Sequence, residues 1–219
     1  MDKFAILLDF DGTVEEKNVA LTLLDKFAVD DWKRYIELSA RKAISFREAV
    51  EKEFECLPVD QKGMTDFVLR EVKVRDGLRE LVDFCRRRKY PVEVVSGGLD
   101  FYIQPIMETQ GLGHIARNCG IADFKSGDRL RVLYNGNMPT CDFSGTCKCF
   151  HVERFRSLGY KTVLVGDGTS DICASEKVDY VFARRKLLDH CQKKGIAHSP
   201  FETFHDVVSV LAGMNGARP

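Results

Sequence analysis

Two aspartates, Asp9 and Asp11, stand one residue apart directly after a short apolar stretch and are followed by Gly12 and Thr13. Two carboxylates at the end of a buried strand are unfavourable unless a cation pairs with them. Mg²⁺ suits this place, because it prefers oxygen ligands and usually takes one or two carboxylates together with phosphate oxygens. Taken alone, the segment is also explained by an acidic turn, since Asp-Gly is a common turn dipeptide.

Two later segments place compatible groups after apolar stretches. Ser96 and the two glycines that follow it offer a hydroxyl and backbone N–H groups, which together suit a phosphate. Asp167 and Asp171 add two carboxylates after another apolar stretch. Because parallel strands end at one edge of a sheet, where such folds bind ligands, chance placement of all three segments is the weaker hypothesis. The combination predicts a site for magnesium and phosphate.

The elements that must position these residues are predicted from hydrophobic patterning. The continuously apolar stretches 4–8, 92–95, 162–165 and 180–182 are typical of strands buried on both faces of a parallel sheet. Helix-like stretches separate them, including one over 76–89 with Asp76 at the cap position and Leu78, Leu81, Val82 and Cys85 facing inward. This alternation predicts a doubly wound α/β fold, a Rossmann-like parallel sheet with right-handed crossovers.

Two insertions interrupt this alternation. Residues 14–75 are too many for one crossover and predict a helical cap, with Asn18, Ser45 and Asp60 at helix N-termini. The domain prediction is therefore an α/β core of residues 1–13 and 76–219 with a cap of residues 14–75. A second insertion carries a small β-hairpin, in which 121–124 and 130–134 flank a glycine-containing turn.

Composition limits the classes of partner. Lys plus Arg and Asp plus Glu both number 33, so the zero net charge offers no basic surface for nucleic acid or an anionic membrane. No apolar run has the length of a membrane span. The N-terminus enters a strand without the layout of a signal peptide, so we expect a cytoplasmic enzyme that acts on a small molecule. The sequence leaves open whether the chain forms a homodimer.

The eight cysteines are scattered and do not predict a disulfide framework. Cys141, Cys147 and Cys149, with Cys119, are dense enough to raise the hypothesis of a structural metal. Their spacing does not match the paired C-x-x-C pattern of zinc sites. Their purpose is therefore left open.

The motifs, in their order, resemble the haloacid dehalogenase superfamily and in particular its phosphatases. The resemblance implies that Asp9 is a nucleophile that carries an aspartyl-phosphate, and that Asp11 protonates the leaving alcohol and then activates water. It also implies an Mg²⁺ site made by the Asp9 carboxylate, the Asp11 carbonyl and Asp167, with Asp171 in support. An acid at position 11 favours phosphatase over dehalogenase chemistry, because loss of a halide requires no proton.

The same resemblance implies a phosphate-binding group. Ser96 and the Gly97 N–H would hold the phosphoryl oxygens together with a lysine that precedes the helix leading to the last motif. Lys148 fits this description better than Lys161, which lies beyond that helix on the approach to the strand. The choice between the two lysines remains open.

The cap, the hairpin and the Cys-rich stretch together look like one branch of the superfamily. That branch includes phosphoserine phosphatase, the phosphocholine/phosphoethanolamine phosphatases, and the 2-hydroxy-3-keto-5-methylthiopentenyl-1-phosphate phosphatase of methionine salvage. The last resembles this chain along nearly its whole length, in the stretches 27–32, 72–77, 96–101 and 182–184. A catalytically silent phosphate sensor is the alternative of another class, although every motif residue is present.

The cap residues bear on the substrate. Phosphoserine phosphatases carry a Glu where this chain has Asn18 and a cap Arg where it has Glu53. An amino-acid zwitterion would therefore lack oppositely charged partners for its ammonium and carboxylate groups. The resemblance therefore favours a substrate with a neutral polar carbon chain. Phosphoserine stays an alternative substrate, because Glu15 or Glu16 could take the place of the missing Glu. We further expect His151 at the surface. The aromatic residues of the cap are expected to form its small core: Trp32, Phe46, Phe54 and Phe67.

Overall fold

The computed structural model describes residues 3–136 and 145–214, which contain one seven-stranded sheet. Its strand order is β4-β3-β2-β1-β5-β6-β7, and every neighbouring pair is parallel except β3 with β4. The strands are β1 (Phe4–Leu8), β2 (Val92–Leu99), β3 (Ala116–Asp123), β4 (Arg131–Leu133), β5 (Lys161–Gly166), β6 (Tyr180–Ala183) and β7 (His198–Pro200).

Helices cover both faces of this sheet and form the connection after β1. They are α1 (Val19–Phe27), α2 (Lys33–Ala40), α3 (Phe46–Phe54), α4 (Gln61–Glu71), α5 (Leu78–Arg88), α6 (Asp100–Thr109), α7 (Lys148–Ser157), α8 (Ile172–Ser175), α9 (Arg185–Lys194) and α10 (Phe204–Met214). The predicted doubly wound α/β fold is confirmed, and the four predicted strands are β1, β2, β5 and β6. In the part of the chain that is described, no helix is both long and apolar enough to cross a membrane.

Burial on both sides explains the continuously apolar strands. Ile6 and Leu8 of β1 join the larger hydrophobic cluster, while Ala5 and Leu7 enter a second cluster on the opposite face of the sheet. All residues of β1 are buried, because successive side chains of a strand point to opposite faces. In the parallel register Leu8 lies opposite Val94 and Val165. The residues that follow these strands therefore meet at one edge.

Helices α1 to α4 occupy the first insertion, with three of their N-caps as predicted. The side chains of Asn18, Ser45 and Asp60 accept hydrogen bonds from backbone N–H groups in the first turns of α1, α3 and α4. Helix α2 was not predicted, and it buries none of its residues. The domain boundaries at 14 and 75 stay a prediction.

Two of the predictions for the core require correction. Helix α5 has Gly77, with a φ of 87°, at its N-cap instead of Asp76, although the four apolar residues expected to face inward are buried. The hairpin is formed by β3 and β4 with Ile121 opposite Leu133, as expected. It is not a separate insertion, because β3 begins at Ala116 and pairs with β2 inside the main sheet.

The chain enters and leaves the helical insertion through two adjacent backbone segments. Arg75 N donates to Val14 O at 2.8 Å, and Glu16 N donates to Lys73 O at 3.0 Å. Glu15 forms an antiparallel bridge with Val74 between these two hydrogen bonds. We call this pair of segments, 14–16 and 73–75, the connecting ribbon. The buried Arg75 guanidinium fastens it by donating to the carbonyls of Gly12, Thr13, Glu15 and Glu202.

Glu15 places a carboxyl group inside this ribbon without a partner. Its side chain is fully buried, and neither carboxyl oxygen has a hydrogen-bond partner in the described residues. Burial raises the pKa of Glu15 well above its usual value, and the nearby Asp11 charge adds to this shift. The folded protein therefore holds a proton on Glu15 at a pH where the unfolded chain releases it.

We expect Glu15→Met to raise the free energy of unfolding by about 1–3 kcal/mol at pH 7 to 8, because a buried unpaired polar group is removed. Below a pH of about 4.5 the folded and the unfolded wild type both hold the proton on Glu15, so the stabilisation gained from Glu15→Met becomes smaller. As the pH rises above that value only the unfolded state ionises, so wild-type stability falls and the gap between the proteins widens. Urea unfolding from pH 4 to 8 measures this.

Glu16→Met serves as the matched control, because Glu16 is exposed and pairs with Lys73 at 2.7 Å. Its pKa is lowered by the hydrogen bond from Lys73, so its contribution has the opposite pH trend. A Glu15→Met protein that is less stable than wild type at every pH would show that the carboxyl group has a stabilising partner.

Candidate active site

The carboxyl edge of the sheet and the helical insertion enclose a cavity of about 370 Å³. Residues that follow β1 and β5, together with the last residues of β2, line its floor, and residues of α1, α2 and α3 line its other side. The lining includes five of the residues predicted to act in the site: Asp9, Asp11, Ser96, Gly97 and Asp167. The structure therefore brings the three sequence motifs together.

Asp9 is bound to a buried lysine. Lys148 Nζ lies 2.6 Å from Asp9 Oδ1 and 2.5 Å from Asp171 Oδ1, and donates also to Ser170 Oγ at 3.3 Å. Burial alone would lower the pKa of Lys148, but the charges of Asp171 and Asp9 outweigh it and raise that pKa, so the lysine is a cation. No hydrogen bond reaches Asp9 Oδ2 from a described residue, which leaves this oxygen available to a ligand.

The position of Lys148 follows from helix α7, which begins at this residue. Asp171 Oδ2 accepts hydrogen bonds from the N–H groups of Asp167 and Gly168, so the loop after β5 holds Asp171 toward the lysine. Lys161, by contrast, is exposed at the first residue of β5, the end of that strand remote from the cavity. The geometry supports the choice of Lys148.

His151 is a correction, because it is buried and not at the surface. It lies one turn after Lys148 on α7, and both side chains enter the protein. Its Nδ1 is 3.2 Å from Oε1 of Glu93, a buried residue of β2 that also binds Arg154 and Asn118. This Nδ1 atom has no hydrogen-bond partner among the described residues, so the ring lies beside the carboxylate without a hydrogen bond to it.

Asp11 makes contacts different from those of Asp9. The Tyr102 hydroxyl donates to Asp11 Oδ2 at 2.7 Å, and Ala20 N donates to Oδ1 at 3.0 Å. Burial raises the pKa of Asp11, and the hydrogen bond from Tyr102 opposes this shift. Phe10, between the two acids, is fully buried and packs on the Tyr102 ring. A carboxyl group with a raised pKa beside Asp9 is suited to proton transfer.

Asp167 completes the acidic group. Its Oδ2 accepts from Arg185 Nη1 at 3.1 Å, and burial together with the Asp171 charge raises its pKa to about 6. Gly12 has a φ of 83°, and a Cβ at this residue would come within 2.5 Å of Asp167 Oδ2. Glycine is required there because the chain turns sharply and the carboxylate approaches its backbone.

Ser96 lies at the end of β2 and is buried. Its Oγ accepts from Gly98 N at 3.0 Å, so the hydroxyl hydrogen is directed elsewhere and can be donated. A Cβ at Gly98 would come within 2.5 Å of Asp11 Oδ2 and closer still to the Tyr102 hydroxyl. The backbone therefore passes directly beside the two acids, as the hypothesis of a phosphate-binding turn requires.

The donor set fits a hard divalent cation. Carboxylate oxygens of Asp9, Asp167 and Asp171 lie within 4.8 Å of one another. Burial and the neighbouring Asp171 charge raise the pKa values of Asp9 and Asp167, a cost that a cation between them would offset. Both oxygens of Asp171 already accept hydrogen bonds, so Asp9 and Asp167 are the better carboxylate ligands.

The three residues predicted as candidate substrate contacts in the cap lie in different environments. Asn18 lines the cavity, and its side chain accepts from Leu21 N at 2.8 Å as the N-cap of α1. Glu15 is buried in the connecting ribbon and is not among the cavity-lining residues, and Glu16 pairs with Lys73. Among the aromatic residues expected in the cap core, Phe46 and Phe54 also line the cavity.

The cysteine hypothesis gains no support from the described residues. Cys141 lies outside them, and within them the acid cluster is the only group with metal-ligand proximity. Cys149 Sγ instead lies 3.1 Å from Cys173 Sγ, and burial raises the pKa of the Cys149 thiol to about 12. Cys119 is also a free thiol whose pKa burial raises to about 12.

Sequence reasoning missed two residues of the site, Tyr102 and Arg185. Arg185 lies two residues after the carboxyl end of β6, at the same edge that carries the acids, and this position is the signal that could have identified it. Tyr102 lies in the first turn of α6, and its contact with Asp11 joins residues 91 positions apart in the sequence.

Comparison with known proteins identifies the family to which this chain belongs. Residues 6–176 match the family described as haloacid dehalogenase-like hydrolase. The chain is also 36% identical over 220 residues to the 2-hydroxy-3-keto-5-methylthiopentenyl-1-phosphate phosphatase of Geobacillus kaustophilus, covering 97% of each protein. It is 32% identical over 212 residues to the protein of the same name from Brevibacillus brevis, covering 95% of each.

Solved structures of similar fold include phosphoserine phosphatases. A structure described as a phospho-aspartyl intermediate analogue of phosphoserine phosphatase has a TM-score of 0.68 and 20% sequence identity, covering 96% of this chain and 99% of that one. A substrate-bound phosphoserine phosphatase complex has a TM-score of 0.67 at 18% identity, covering 96% and 98% respectively. At this level of identity the similarity concerns the fold.

Proposed function

Because this chain belongs to the haloacid dehalogenase-like hydrolases and is a phosphoric monoester hydrolase, we propose that it works through an aspartyl-phosphate on Asp9. The observation that carries this proposal is the pairing of Asp9 with the buried Lys148 at 2.6 Å. The lysine stabilises the ionised form of Asp9, which is the nucleophilic form, and leaves Oδ2 without a hydrogen bond from the described residues.

Asp11 is proposed as the proton carrier. Its raised pKa and its place beside the nucleophile allow it to protonate the leaving oxygen and then to take a proton from the attacking water. Tyr102 and Ala20 hold its two oxygens, so the carboxyl group keeps one orientation through both steps. Ser96 and the N–H of Gly97 are proposed to bind phosphoryl oxygens, with Lys148 neutralising charge.

We propose Mg²⁺ as the cation, held by the carboxylates of Asp9 and Asp167 and the backbone carbonyl of Asp11, with Asp171 in support. When bound, Mg²⁺ neutralises negative charge on the phosphoryl group and on Asp9. Lys148 and Arg185 also contact these carboxylates, at Asp9 and Asp167 respectively. Residues 14–75 are proposed as the cap that covers this site.

The substrate is proposed to be 2-hydroxy-3-keto-5-methylthiopentenyl-1-phosphate, the ester named in the similar proteins. By its name, the carbon chain of this ester carries a hydroxyl, a ketone and a methylthio group, and no charge besides the phosphate. The cavity supports this proposal, because the cap side of it is mostly apolar: Leu21, Ile36, Phe46, Val50 and Phe54. Such a wall suits a thioether tail and leaves a second charged group poorly solvated.

We expect the purified protein to hydrolyse p-nitrophenyl phosphate when Mg²⁺ is present and to lose at least about 100-fold of that rate with excess chelator. Addition of Mg²⁺ should restore the rate, whereas Ca²⁺ should not, because Ca²⁺ prefers more ligands at longer distances. Release of inorganic phosphate is the measurement. Equal rates with metal and with chelator would contradict the metal proposal, and no hydrolysis in either condition would favour a phosphate sensor.

A further inference from the structure

Glu53 stands out among the acids of α3 because its carboxyl group has no partner. It lies in the last turn of α3, is half-buried and lines the same cavity as Asp9. No described residue makes a hydrogen bond or an ion pair with its side chain. The other acids of this turn are paired, Glu51 with Arg47 at 2.7 Å and Glu55 with Lys52 at 2.8 Å.

The surroundings of Glu53 do not stabilise a charge. Its neighbours on the cap wall of the cavity are apolar, and burial raises the pKa of Glu53 to about 7. No charged side chain contributes to this shift. Near neutral pH the carboxyl group is therefore present in both forms, one that donates a hydrogen bond and one that only accepts.

Charged groups around the cavity lie mainly on the core side. They are Asp9, Asp11 and Asp167 on the loops after β1 and β5, and Arg185 and Lys186 at the start of α9. Arg185 is already bound to Asp167. Helices α1 and α2 contribute Asn18, Ala20, Leu21 and Ile36, none of which is charged. A ligand group that reaches the cap wall therefore meets one acid and no cation.

We propose that Glu53 determines specificity by hydrogen-bonding an uncharged oxygen of the substrate carbon chain and by excluding esters that carry a carboxylate there. This inference rests on the proposed phosphatase function of the site. A ketone oxygen accepts from the neutral carboxyl group, and a hydroxyl donates to either form, so one residue serves both groups. A substrate carboxylate would be desolvated beside an acid without a counter-ion, which is strongly unfavourable.

An ammonium group is the competing ligand, since it would pair with the ionised form of Glu53. The side chains around Glu53 disfavour this ligand. An ammonium carries three donors, and the apolar wall supplies no second acceptor for them. The side-chain oxygen of Asn18 is already engaged by Leu21 N. An uncharged oxygen requires a single hydrogen bond and leaves no donor unsatisfied.

The test compares three small esters: dihydroxyacetone phosphate, phosphoglycolate and phosphoethanolamine, which carry neutral oxygens, a carboxylate and an ammonium. Wild type is expected to favour the first over the other two by at least about tenfold in kcat/KM. Glu53→Gln, which keeps a hydrogen-bond donor without the charge, should retain dihydroxyacetone phosphate hydrolysis within about threefold and improve phosphoglycolate hydrolysis by about tenfold, mainly through KM. Glu48→Gln is the matched control on the exposed face of α3 and should change neither value.

Two results would overturn the inference while the phosphatase function stands. A wild-type preference for phosphoethanolamine that Glu53→Gln abolishes would assign an ammonium to this position. If the kcat/KM ratios among the three esters are the same in Glu53→Gln as in wild type, Glu53 does not determine substrate specificity. A wild-type protein that fails to hydrolyse even p-nitrophenyl phosphate would overturn the proposed function, and this inference with it.

Discussion

Asp9→Asn is expected to lower kcat by at least about 10⁴-fold, because an amide cannot act as the nucleophile that forms the covalent intermediate. The substitution keeps the shape of the side chain, and Lys148 keeps its contact with Asp171. Burial and the Asp171 charge raise the pKa of Asp9, so removal of its charge should leave the melting temperature within a few degrees of wild type. Hydrolysis of p-nitrophenyl phosphate with Mg²⁺ measures the loss.

A second readout separates the nucleophile from a residue that only binds metal. Acid quenching of wild type during turnover of a radiolabelled ester should leave phosphate on the protein, and Asp9→Asn should retain none. Asp25→Asn is the control, because Asp25 is exposed and its ion pair with Lys33 is long, at 3.7 Å. An Asp9→Asn protein that keeps more than about a tenth of the wild-type rate would assign the nucleophile to another residue.

Lys148→Met is expected to cost both activity and stability. Breaking a buried ion pair by removing one partner typically costs about 3–5 kcal/mol, and here it leaves two carboxylates, Asp9 and Asp171, facing each other. We expect the rate to fall by at least about 100-fold, since the cation that favours the ionised form of Asp9 is lost. Urea unfolding and phosphate release measure the two effects.

Two further variants separate the effect of Lys148 on activity from its effect on stability. Lys161→Met is the control, and its exposed position at the start of β5 predicts a change in stability within about 1 kcal/mol and full activity. Lys148→Met combined with Asp171→Asn should regain much of the stability, because one of the facing charges is removed, but not the rate. If Lys161→Met were the inactive protein, the phosphate-site lysine would be reassigned to that residue.

The sheet and the acids could be predicted because their signals are local. A strand buried on both faces must be apolar throughout, as β1 is, and parallel strands must end at one edge. Asp9, Asp11 and Asp167 were therefore predictable from position alone. Strand β7 was not, because three residues at the sheet edge, one of them a proline, carry no such pattern.

The partners of these acids depend on packing and were harder to predict. Tyr102 reaches Asp11 from α6, and Arg185 reaches Asp167 from α9, through contacts between residues far apart in the sequence. His151 is likewise buried beside Glu93 of β2, a residue far from it in the sequence. Hydrophobic periodicity assigns a face only to apolar residues, and α7 has buried polar side chains that obscure its own stripe.

The connecting ribbon has a consequence for how such a protein diversifies. Its two segments are hydrogen-bonded as neighbouring strands, so the helical insertion begins and ends about 5 Å apart. Any inserted module whose ends match that spacing joins the core without moving β1 or Asp9. Mutation and recombination can thus replace the helical insertion, which is proposed to select the ester, while β1 and Asp9 are inherited unchanged. Arg75 has to be kept in either case, because its guanidinium binds the backbone at the start of the insertion.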